Sequence, residues 1–279
     1  MKRNEQRKTV LVTGASSGIG YHSIHALEKS GFRVIASVRK AEDMQRLRSE
    51  GFETIQIDLD DSNSIKEAAQ KVHDLTGGRL YALFNNAAYG QPGAVEDLGR
   101  DALRAQFETN LFGTHELTKE LLPMMVEAGE GRIVQNSSVL GFIALRYRGA
   151  YNASKAALEA LSDTMRMELE GTGVFVSIIE PGPIRSRFRQ NALKKFLENI
   201  DMKKSRLHEA YEVKLRQLES DADAPFTLGP EAVSRALLHA LESPKPRVRY
   251  RVTVPTHLFY RLKKVLSDRA MDALLKMVE

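Results

Sequence analysis

Tyr151 and Lys155 lie four residues apart in the segment YNASK. The chain continues as AALEALSDTMRMELE, which is typical of a helix, so both side chains are expected on one helix face. A phenol with a pKa of about 10 holds its proton too tightly to act as a base near neutral pH, unless a fixed cation stabilises the phenolate. The pair indicates acid–base chemistry, or else an ordinary tyrosine at a helix start beside a solvated lysine.

The composition limits the classes of function. The 279 residues suit one α/β domain, and the absence of cysteine excludes disulfide scaffolds, thiolate zinc sites and cysteine nucleophiles. A net charge of +5 permits a nucleic-acid partner, but no nucleic-acid-binding motif is present and we expect none. His22 and His25 lack an evident third ligand, so we expect no metal site.

The N-terminal segment MKRNEQRK leads directly into a five-residue apolar run, unlike a signal peptide. No apolar run approaches the roughly 20 residues needed to cross a bilayer. We therefore expect a cytoplasmic protein.

Short apolar segments alternate with segments of helical periodicity along most of the chain. In SIKEAAQKVHDL, for example, apolar residues recur at the spacing of a buried helix face. Repeated strand–helix units predict a single doubly wound α/β domain, with a parallel sheet of about seven strands covered by helices on both faces. The first six strands are predicted at residues 9–13, 33–38, 53–57, 80–84, 132–137 and 174–180.

The last third of the chain departs from this alternation. Residues 183–224 are helical in pattern and strongly charged, and we expect them to form a substrate lid over the carboxyl ends of the strands. Residues 229–254 are predicted as the last helix and an edge strand, whose arginines would discourage further pairing. Residues 256–279 are predicted as one amphipathic helix that covers the sheet, a second subunit or a membrane surface.

A glycine-rich turn, TGASSGIG, directly follows the first strand. Glycines let the backbone approach a diphosphate, and the free N–H groups at the following helix start favour its negative charge. This position in the chain predicts a dinucleotide site formed by Gly14, Ser16, Ser17, Gly18, Ile19 and Gly20.

The end of the second strand, SVRK, bears on the choice of cofactor. Dinucleotides without a 2′-phosphate usually meet an Asp or Glu there, but Val38 stands at that position and Arg39 follows. A guanidinium suits a phosphate, so the segment favours NADP(H) over NAD(H), although Arg39 can also be an ordinary surface charge.

The ordered motifs identify the chain as similar to the short-chain dehydrogenase/reductase family, over residues 9 to about 241. The resemblance is closest to its hydroxysteroid and retinol dehydrogenase branch and bacterial relatives, and it implies that residues 1–279 form one Rossmann-type domain. Residues 8–180 would then hold the cofactor-binding core and the catalytic residues. The motifs are TGASSGIG, QIDLDD, NNAA, TNLFG, NSSVLG, YNASK and EPGPI.

The resemblance implies roles for four catalytic residues. Tyr151 is similar to the family's catalytic acid or base, and Lys155 to the residue that lowers the pKa of the phenol and binds the nicotinamide ribose. Ser138, thirteen residues before Tyr151, is similar to the hydroxyl that orients the substrate oxygen, with its neighbour Ser137 as the alternative. Asn110 is similar to the residue that holds a water in the proton relay.

The resemblance also implies further cofactor contacts. Asp58 is similar to the residue that contacts the adenine amine, and Ala88 stands where the family usually has glycine, which a negative φ would allow. With the glycine turn, Arg39, Tyr151 and Lys155, the expected cofactor-binding residues are Asp58, Leu59, Asn86, Ala87, Pro181, Gly182 and Ile184.

The expected activity is interconversion of a hydrophobic ketone or aldehyde and its alcohol, for example a steroid, a retinoid or a long-chain aldehyde. An NADP-binding redox sensor or scaffold without turnover is the alternative, although it has no need of all four catalytic residues. The basic residues of the lid form a solvated face, or contact an acidic substrate group or an anionic membrane surface. The resemblance also implies a homodimer.

Overall fold

Seven parallel strands form a single sheet in the computed structural model, which describes residues 7–219 and 223–277. The strands are β1 (Thr9–Val12), β2 (Arg33–Val38), β3 (Glu53–Gln56), β4 (Ala82–Asn85), β5 (Gly131–Asn136), β6 (Val174–Glu180) and β7 (Arg249–Arg251). Their order across the sheet is β3-β2-β1-β4-β5-β6-β7. This confirms the predicted doubly wound parallel sheet, with β4 beginning two residues later than predicted.

Helices cover both faces of the sheet, as predicted. A π-helical turn, Glu108–Gly113, joins α4 to α5. The helices are α1 (Gly18–Lys29), α2 (Ala41–Ser49), α3 (Ser62–Thr76), α4 (Arg100–Phe107), α5 (Thr114–Ala128), α6 (Gly149–Glu168), α7 (Phe188–Asn199), α8 (His208–Glu219), α9 (Glu231–Glu242), α10 (Val254–Val265) and α11 (Asp268–Met277).

Successive strand residues point to opposite faces, so each strand contributes to two hydrophobic cores. In β1, Val10 and Val12 join the core beneath α1 and α9, whereas Leu11 joins the core beneath α3 and α5. Burial on both faces explains why the strands are continuous apolar runs rather than alternating ones.

The strand order reverses between β1 and β4, and the connections on the two sides of that point leave toward opposite faces. A crevice therefore opens at the carboxyl ends of β1 and β4, where open α/β sheets bind ligands. Three of the predicted site segments follow the carboxyl ends of β1, β4 and the adjacent β5: the glycine turn after β1, Asn86 and Ala87 after β4, and Ser137 and Ser138 after β5.

The segment 183–224 contains α7 and α8, consistent with the predicted helical lid, although residues 220–222 lie outside the described residues. The two helices share a small core in which Phe196, Ile200 and Tyr211 are buried against Ala94. The Tyr211 hydroxyl accepts a hydrogen bond from the Ala94 amide at 2.8 Å. Most of the apolar lid residues therefore pack the lid to the body, while Leu197 is exposed.

The predicted edge strand at the end of the 229–254 segment lies at the edge of the sheet, but it is shorter than expected and its arginine side chains are partly buried. Val254 begins α10, so β7 contains three residues. The Nε atoms of Arg249 and Arg251 lie 2.9 Å and 3.1 Å from the two carboxylate oxygens of buried Glu180. The arginines therefore join β7 to β6, because a buried carboxylate requires a cationic partner.

The predicted single helix 256–279 is also corrected, because the described part of the segment forms two helices. The residues Leu266 and Ser267 separate α10 from α11, and Leu266 has an extended backbone. Met271 and Leu275 of α11 pack on Ile143, beside the segment that follows β5. This pair of helices therefore covers the protein's own core.

Two of the segments interpreted from the sequence lie partly outside the described residues. The first six residues of the basic segment MKRNEQRK and the last two residues of the chain are not described. Within the described residues, no helix is long and apolar enough to cross a membrane.

Candidate active site

The glycine turn after β1 is formed as its sequence predicts. Gly14 and Gly18 have φ values of +67° and +55°, which L side chains rarely adopt. A Cβ at Gly20 would overlap the Gly14 carbonyl oxygen, so only glycine allows this close approach. The turn places Ser16 before Ser17, the N-cap of α1, and Ile19 within the first turn of that helix.

The start of α1 has the properties of an anion site. Ser17 makes no side-chain capping hydrogen bond and the first turn carries no acidic residue, so no protein carboxylate competes for its free N–H groups. A Cβ at Gly18 would lie 3.0 Å from the Cβ of Ser186, which places the start of the lid directly over the turn. The residues therefore fit a dinucleotide diphosphate.

Arg39 follows β2 at the same edge of the sheet and is exposed. Within residues 7–219 and 223–277, no ion pair involves its guanidinium, whereas the neighbouring Lys40 lies 3.2 Å from Glu42. Val38, at the position where an acidic residue would contact a ribose, is buried. This edge therefore presents a cation and no carboxylate at the end of β2.

Thr13 links the ends of β1 and β4. Its hydroxyl accepts hydrogen bonds from the amides of Asn86 and Ala87, at 2.9 Å and 3.0 Å. The Asn86 side chain in turn accepts a 2.9 Å hydrogen bond from Asn136 at the end of β5. Outside the glycines, positive φ among the described residues occurs at Tyr147 and Phe226, so Ala88 has the negative φ that its methyl group requires.

The other expected cofactor contacts lie around the same crevice. Asp58 and Leu59 follow β3, and the Asp58 side chain accepts a 3.1 Å hydrogen bond from the Asp60 amide. Pro181 follows β6, and its carbonyl oxygen accepts a 2.8 Å hydrogen bond from Val139. Gly182 and Ile184 complete this turn, in which Ile184 pairs with Leu228 in an isolated bridge.

Tyr151 and Lys155 lie on the same face of α6 and both are buried. The Lys155 ammonium donates a 2.7 Å hydrogen bond to the Asn136 carbonyl oxygen and lies 5.8 Å from the centroid of the Tyr151 ring. The two polar groups therefore face the crevice at the ends of β4 and β5, rather than the solvent.

The two adjacent serines after β5 have different partners. Ser138 hydrogen-bonds to the Tyr151 phenol, and its hydroxyl also accepts a 3.1 Å hydrogen bond from the Leu140 amide. Ser137 donates a 2.7 Å hydrogen bond to the buried carboxylate of Glu159, one turn beyond Lys155. The geometry therefore favours Ser138 over Ser137 as the hydroxyl beside the phenol.

Asn110 is buried in the π-helical turn between α4 and α5. Its side-chain oxygen accepts a 3.1 Å hydrogen bond from the Tyr89 amide, and its nitrogen donates to Ser154 on α6 at 3.1 Å. π-helical turns are rare and occur frequently at functional sites. Asn110 thus ties this irregular turn to the helix that carries Tyr151.

Burial dominates the electrostatics of the pair. Burial raises the pKa of Tyr151 to about 12, opposed by the hydrogen bond from Ser138 and the charge of Arg148. Burial lowers the pKa of Lys155 to about 8, opposed by the negative charge of Glu159. The phenol is therefore protonated at neutral pH, and the lysine loses its charge in a pH range that activity measurements can reach.

The roles of two residues beside Tyr151 could not be assigned from the sequence. Arg148, three residues earlier, was missed, although its i, i+3 spacing places it on the same face as Tyr151. Phe188, the first residue of α7, was left open between pocket wall and packing. Its ring makes an edge-to-face contact with Tyr151 at a centroid distance of 5.2 Å, so it forms part of the wall.

A known family matches most of the chain. The profile of the family described as short chain dehydrogenase matches residues 8–196. A solved structure of a short-chain dehydrogenase from Streptomyces avermitilis superposes with a TM-score of 0.76 and 30% identity, covering 99% of this chain and 98% of that chain.

Two curated proteins extend the comparison. The uncharacterized oxidoreductase YbbO of Escherichia coli is 45% identical over 277 residues, which cover 97% of this chain and 94% of that protein. Human retinol dehydrogenase 16 is 32% identical over 283 residues, covering 96% of this chain and 87% of that protein.

The glycine turn supplies a direct test of the dinucleotide site. In Gly20→Ala the added methyl group meets the Gly14 carbonyl oxygen and the Asn86 side chain. We expect the affinity for NADPH and NADH, measured by fluorescence titration, to fall more than tenfold. The free energy of unfolding should fall by about 1–3 kcal/mol, because the turn must shift.

Gly99→Ala is the matched control, because Gly99 has a φ of −60° and open space around the added Cβ. Its dinucleotide affinity should equal that of the wild type. Wild-type affinity in Gly20→Ala would exclude the turn as the diphosphate site.

Proposed function

The chain belongs to the short-chain dehydrogenase/reductase family, and on this premise we propose that it is an NADP(H)-dependent oxidoreductase that interconverts a hydrophobic ketone or aldehyde and its alcohol. The observation that carries the proposal is the buried arrangement of Ser138, Tyr151 and Lys155 at the carboxyl ends of the strands, beside the glycine turn. A cofactor and a carbonyl compound can meet in this crevice.

Tyr151 is the proposed acid in the reductive direction. The nicotinamide cofactor, when bound, supplies the hydride for the carbonyl carbon. Tyr151 supplies the proton for the carbonyl oxygen, and its high pKa keeps that proton on the phenol at neutral pH. Ser138, which already hydrogen-bonds to the phenol, orients the same carbonyl oxygen.

Lys155 and Asn110 are the proposed supporting residues. The Lys155 ammonium stabilises the phenolate that forms when Tyr151 gives up its proton, because a nearby positive charge favours the ionised phenol. Asn110 holds the water through which the phenol regains its proton. Its own amide is held in place by Tyr89 and Ser154.

The proposed preference for NADP(H) rests on the end of β2. A 2′-phosphate would meet Arg39, which lacks an ion-pair partner in the described residues, and would meet no carboxylate at position 38. A serine dehydrogenase whose solved structure contains NADP+ is 26% identical to this chain, with a TM-score of 0.75 over 89% of this chain and 95% of that chain. This relative supports the choice.

The proposed substrate class rests on the surroundings of Tyr151. Phe188 contacts the phenol ring, and Gly90 leaves the space that the Phe188 ring occupies. The names of two human relatives, retinol dehydrogenase 16 and 17-beta-hydroxysteroid dehydrogenase type 1, refer to apolar alcohols. A steroid, a retinoid or a long-chain aldehyde is therefore the proposed class.

A homodimer is the proposed assembly. Apolar side chains are exposed along α5 and α6 and on the turn before α5, and exposed apolar patches often mark interaction sites. They include Phe112, Val126, Leu161 and Met167.

Tyr151→Phe tests the proposed mechanism. The variant keeps the ring and its contact with Phe188 but removes the proton donor. NADPH consumption with long-chain aldehydes, retinal and keto-steroids should fall at least a thousandfold, while the Kd for NADPH stays within about threefold. Wild-type rates in this variant would contradict the mechanism, and tight NADPH binding by an inactive wild type would favour a sensor.

The pH dependence tests the role of Lys155. Because the protonated lysine is the active form, kcat/KM for reduction should be constant below pH 8 and fall as Lys155 loses its proton above its pKa of about 8. In Glu159→Gln the lysine loses a negative neighbour that favours its charge, so the decrease should begin at lower pH. If kcat/KM stays constant up to pH 10 in both proteins, Lys155 does not set the pKa of Tyr151, and Arg148 would be the residue that does.

Arg39→Gln tests the cofactor preference. The wild type should bind NADPH more tightly than NADH, and the variant should lose about 10- to 100-fold in NADPH affinity, as expected for a charge-assisted hydrogen bond. Its affinity for NADH should be unchanged. Lys40→Gln is the matched control, because Lys40 is the adjacent exposed cation and pairs with Glu42. Tighter binding of NADH by the wild type would contradict the preference.

A further inference from the structure

Arg148 occupies a defined position at the start of the helix that carries the catalytic tyrosine. It is the N-cap residue of α6, and its carbonyl oxygen accepts a 2.8 Å hydrogen bond from Asn152. The backbone of Arg148 also pairs with Gly93 in an isolated parallel bridge. The Cα of Arg148 is therefore held from two sides, one helical turn before Tyr151.

The guanidinium of Arg148 has an unsatisfied buried nitrogen. Nη1 is inaccessible to solvent and has no hydrogen-bond partner among the described residues, and no carboxylate there forms an ion pair with it. Burial lowers the pKa of Arg148, as does the positive charge of Arg189 on α7, while Tyr151 opposes them. Arginine nevertheless remains charged in proteins, so the charge of Arg148 acts on the Tyr151 phenol with no ion-pair partner among the described residues.

Four arginines of the lid and the sheet edge have carboxylate partners. Arg249 and Arg251 share Glu180, Arg185 lies 2.5 Å from Asp223, and Arg206 lies 2.8 Å from Glu96. A guanidinium with a buried, unsatisfied nitrogen is costly, and a bound ligand of opposite charge would satisfy it. Arg148 is therefore a candidate for ligand recognition rather than for stability.

The position of Arg148 limits which ligand can reach it. The diphosphate site is at the start of α1, whereas Arg148 is the N-cap of α6, three residues before Tyr151, whose ring contacts Phe188 of the lid helix α7. An anion bound there belongs to the molecule that Tyr151 protonates. Residues three apart on a helix are about 5–6 Å apart at Cβ, so Arg148 and Tyr151 are close together. A substrate that reaches both residues must carry its negative charge only a few bonds from its reacting carbonyl.

We propose that Arg148 binds a carboxylate on the substrate, so that the preferred substrates are oxo acids with an apolar body and a carboxylate a few bonds from the reacting carbonyl. A carboxylate matches the guanidinium in shape, and its single negative charge neutralises one buried arginine. This proposal rests on the proposed reductase function and narrows its substrate class.

The test compares 4-oxodecanoate with its methyl ester, which has the same chain and ketone but no charge. Wild-type protein with NADPH should show a higher kcat/KM for the acid. In Arg148→Met the acid-to-ester ratio of kcat/KM should fall about 10- to 100-fold, the range of a charge-assisted hydrogen bond. The ratio isolates substrate binding, because any effect of Arg148 on the Tyr151 pKa changes both reactions equally.

Two further variants complete the design. Lys194→Met removes an exposed cation of the same lid helix, which pairs with Glu198, and should leave the ratio unchanged. Arg148→Lys keeps the charge and should retain part of the preference. Thermal unfolding of Arg148→Met should occur at or above the wild-type temperature, because removal of an uncompensated buried charge does not destabilise the fold.

The outcomes separate this proposal from the proposed function. An unchanged acid-to-ester ratio in Arg148→Met, with the ester still reduced, would overturn the carboxylate site and leave the reductase intact. If the wild type reduces neither compound nor any of the aldehydes, retinal and keto-steroids, the proposed function fails. Calorimetric titration with decanoate then decides the site: Arg148-dependent binding supports it, and equal binding by wild type and Arg148→Met overturns it.

Discussion

The buried charge of Lys155 is the constraint on which the rest of the site depends. An ammonium in a low-dielectric crevice is stable only if nearby groups compensate for its lost hydration. The Asn136 carbonyl oxygen at the end of β5 accepts one of its protons, and Glu159 supplies a negative charge from the next turn of α6. These contacts fix α6 against the sheet and so determine where the Tyr151 phenol lies.

The compensation extends to the edge of the sheet. Glu159 lies 3.5 Å from Arg249, which also pairs with Asp163 on α6 and with Glu180 at the end of β6. One arginine therefore connects α6, β6 and β7 behind the catalytic residues. The three-residue strand β7 lies where these charges meet, and it joins β6 both through its backbone ladder and through these ion pairs.

This distribution of forces explains what the sequence predicted and what it did not. Strands buried on both faces appear as continuous apolar runs, so β1 to β6 could be located from local pattern alone, whereas their order across the sheet could not. The ion pair between Arg249 and Glu180 was not predicted, because the two residues are 69 positions apart in the chain. Pattern cannot reveal such a pairing, and the division of the C-terminal segment at Leu266 depends likewise on packing against Ile143.

The site shows the same distinction at the level of single residues. The i, i+4 spacing predicted that Tyr151 and Lys155 lie on one helix face. The glycines of TGASSGIG predicted the backbone conformation of the turn that contains them. The separate partners of Ser137 and Ser138 depend on how the chain leaves β5, and the unsatisfied Nη1 of Arg148 depends on which groups of the described residues surround it. Residues that perform the common chemistry lie on elements fixed by the sheet, whereas those facing the substrate depend on the lid.

The lid has its own core around Phe196 and Tyr211. Its contacts with substrate can therefore change without altering the positions of Tyr151 and Lys155, which allows one catalytic arrangement to serve carbonyl compounds of different charge and shape.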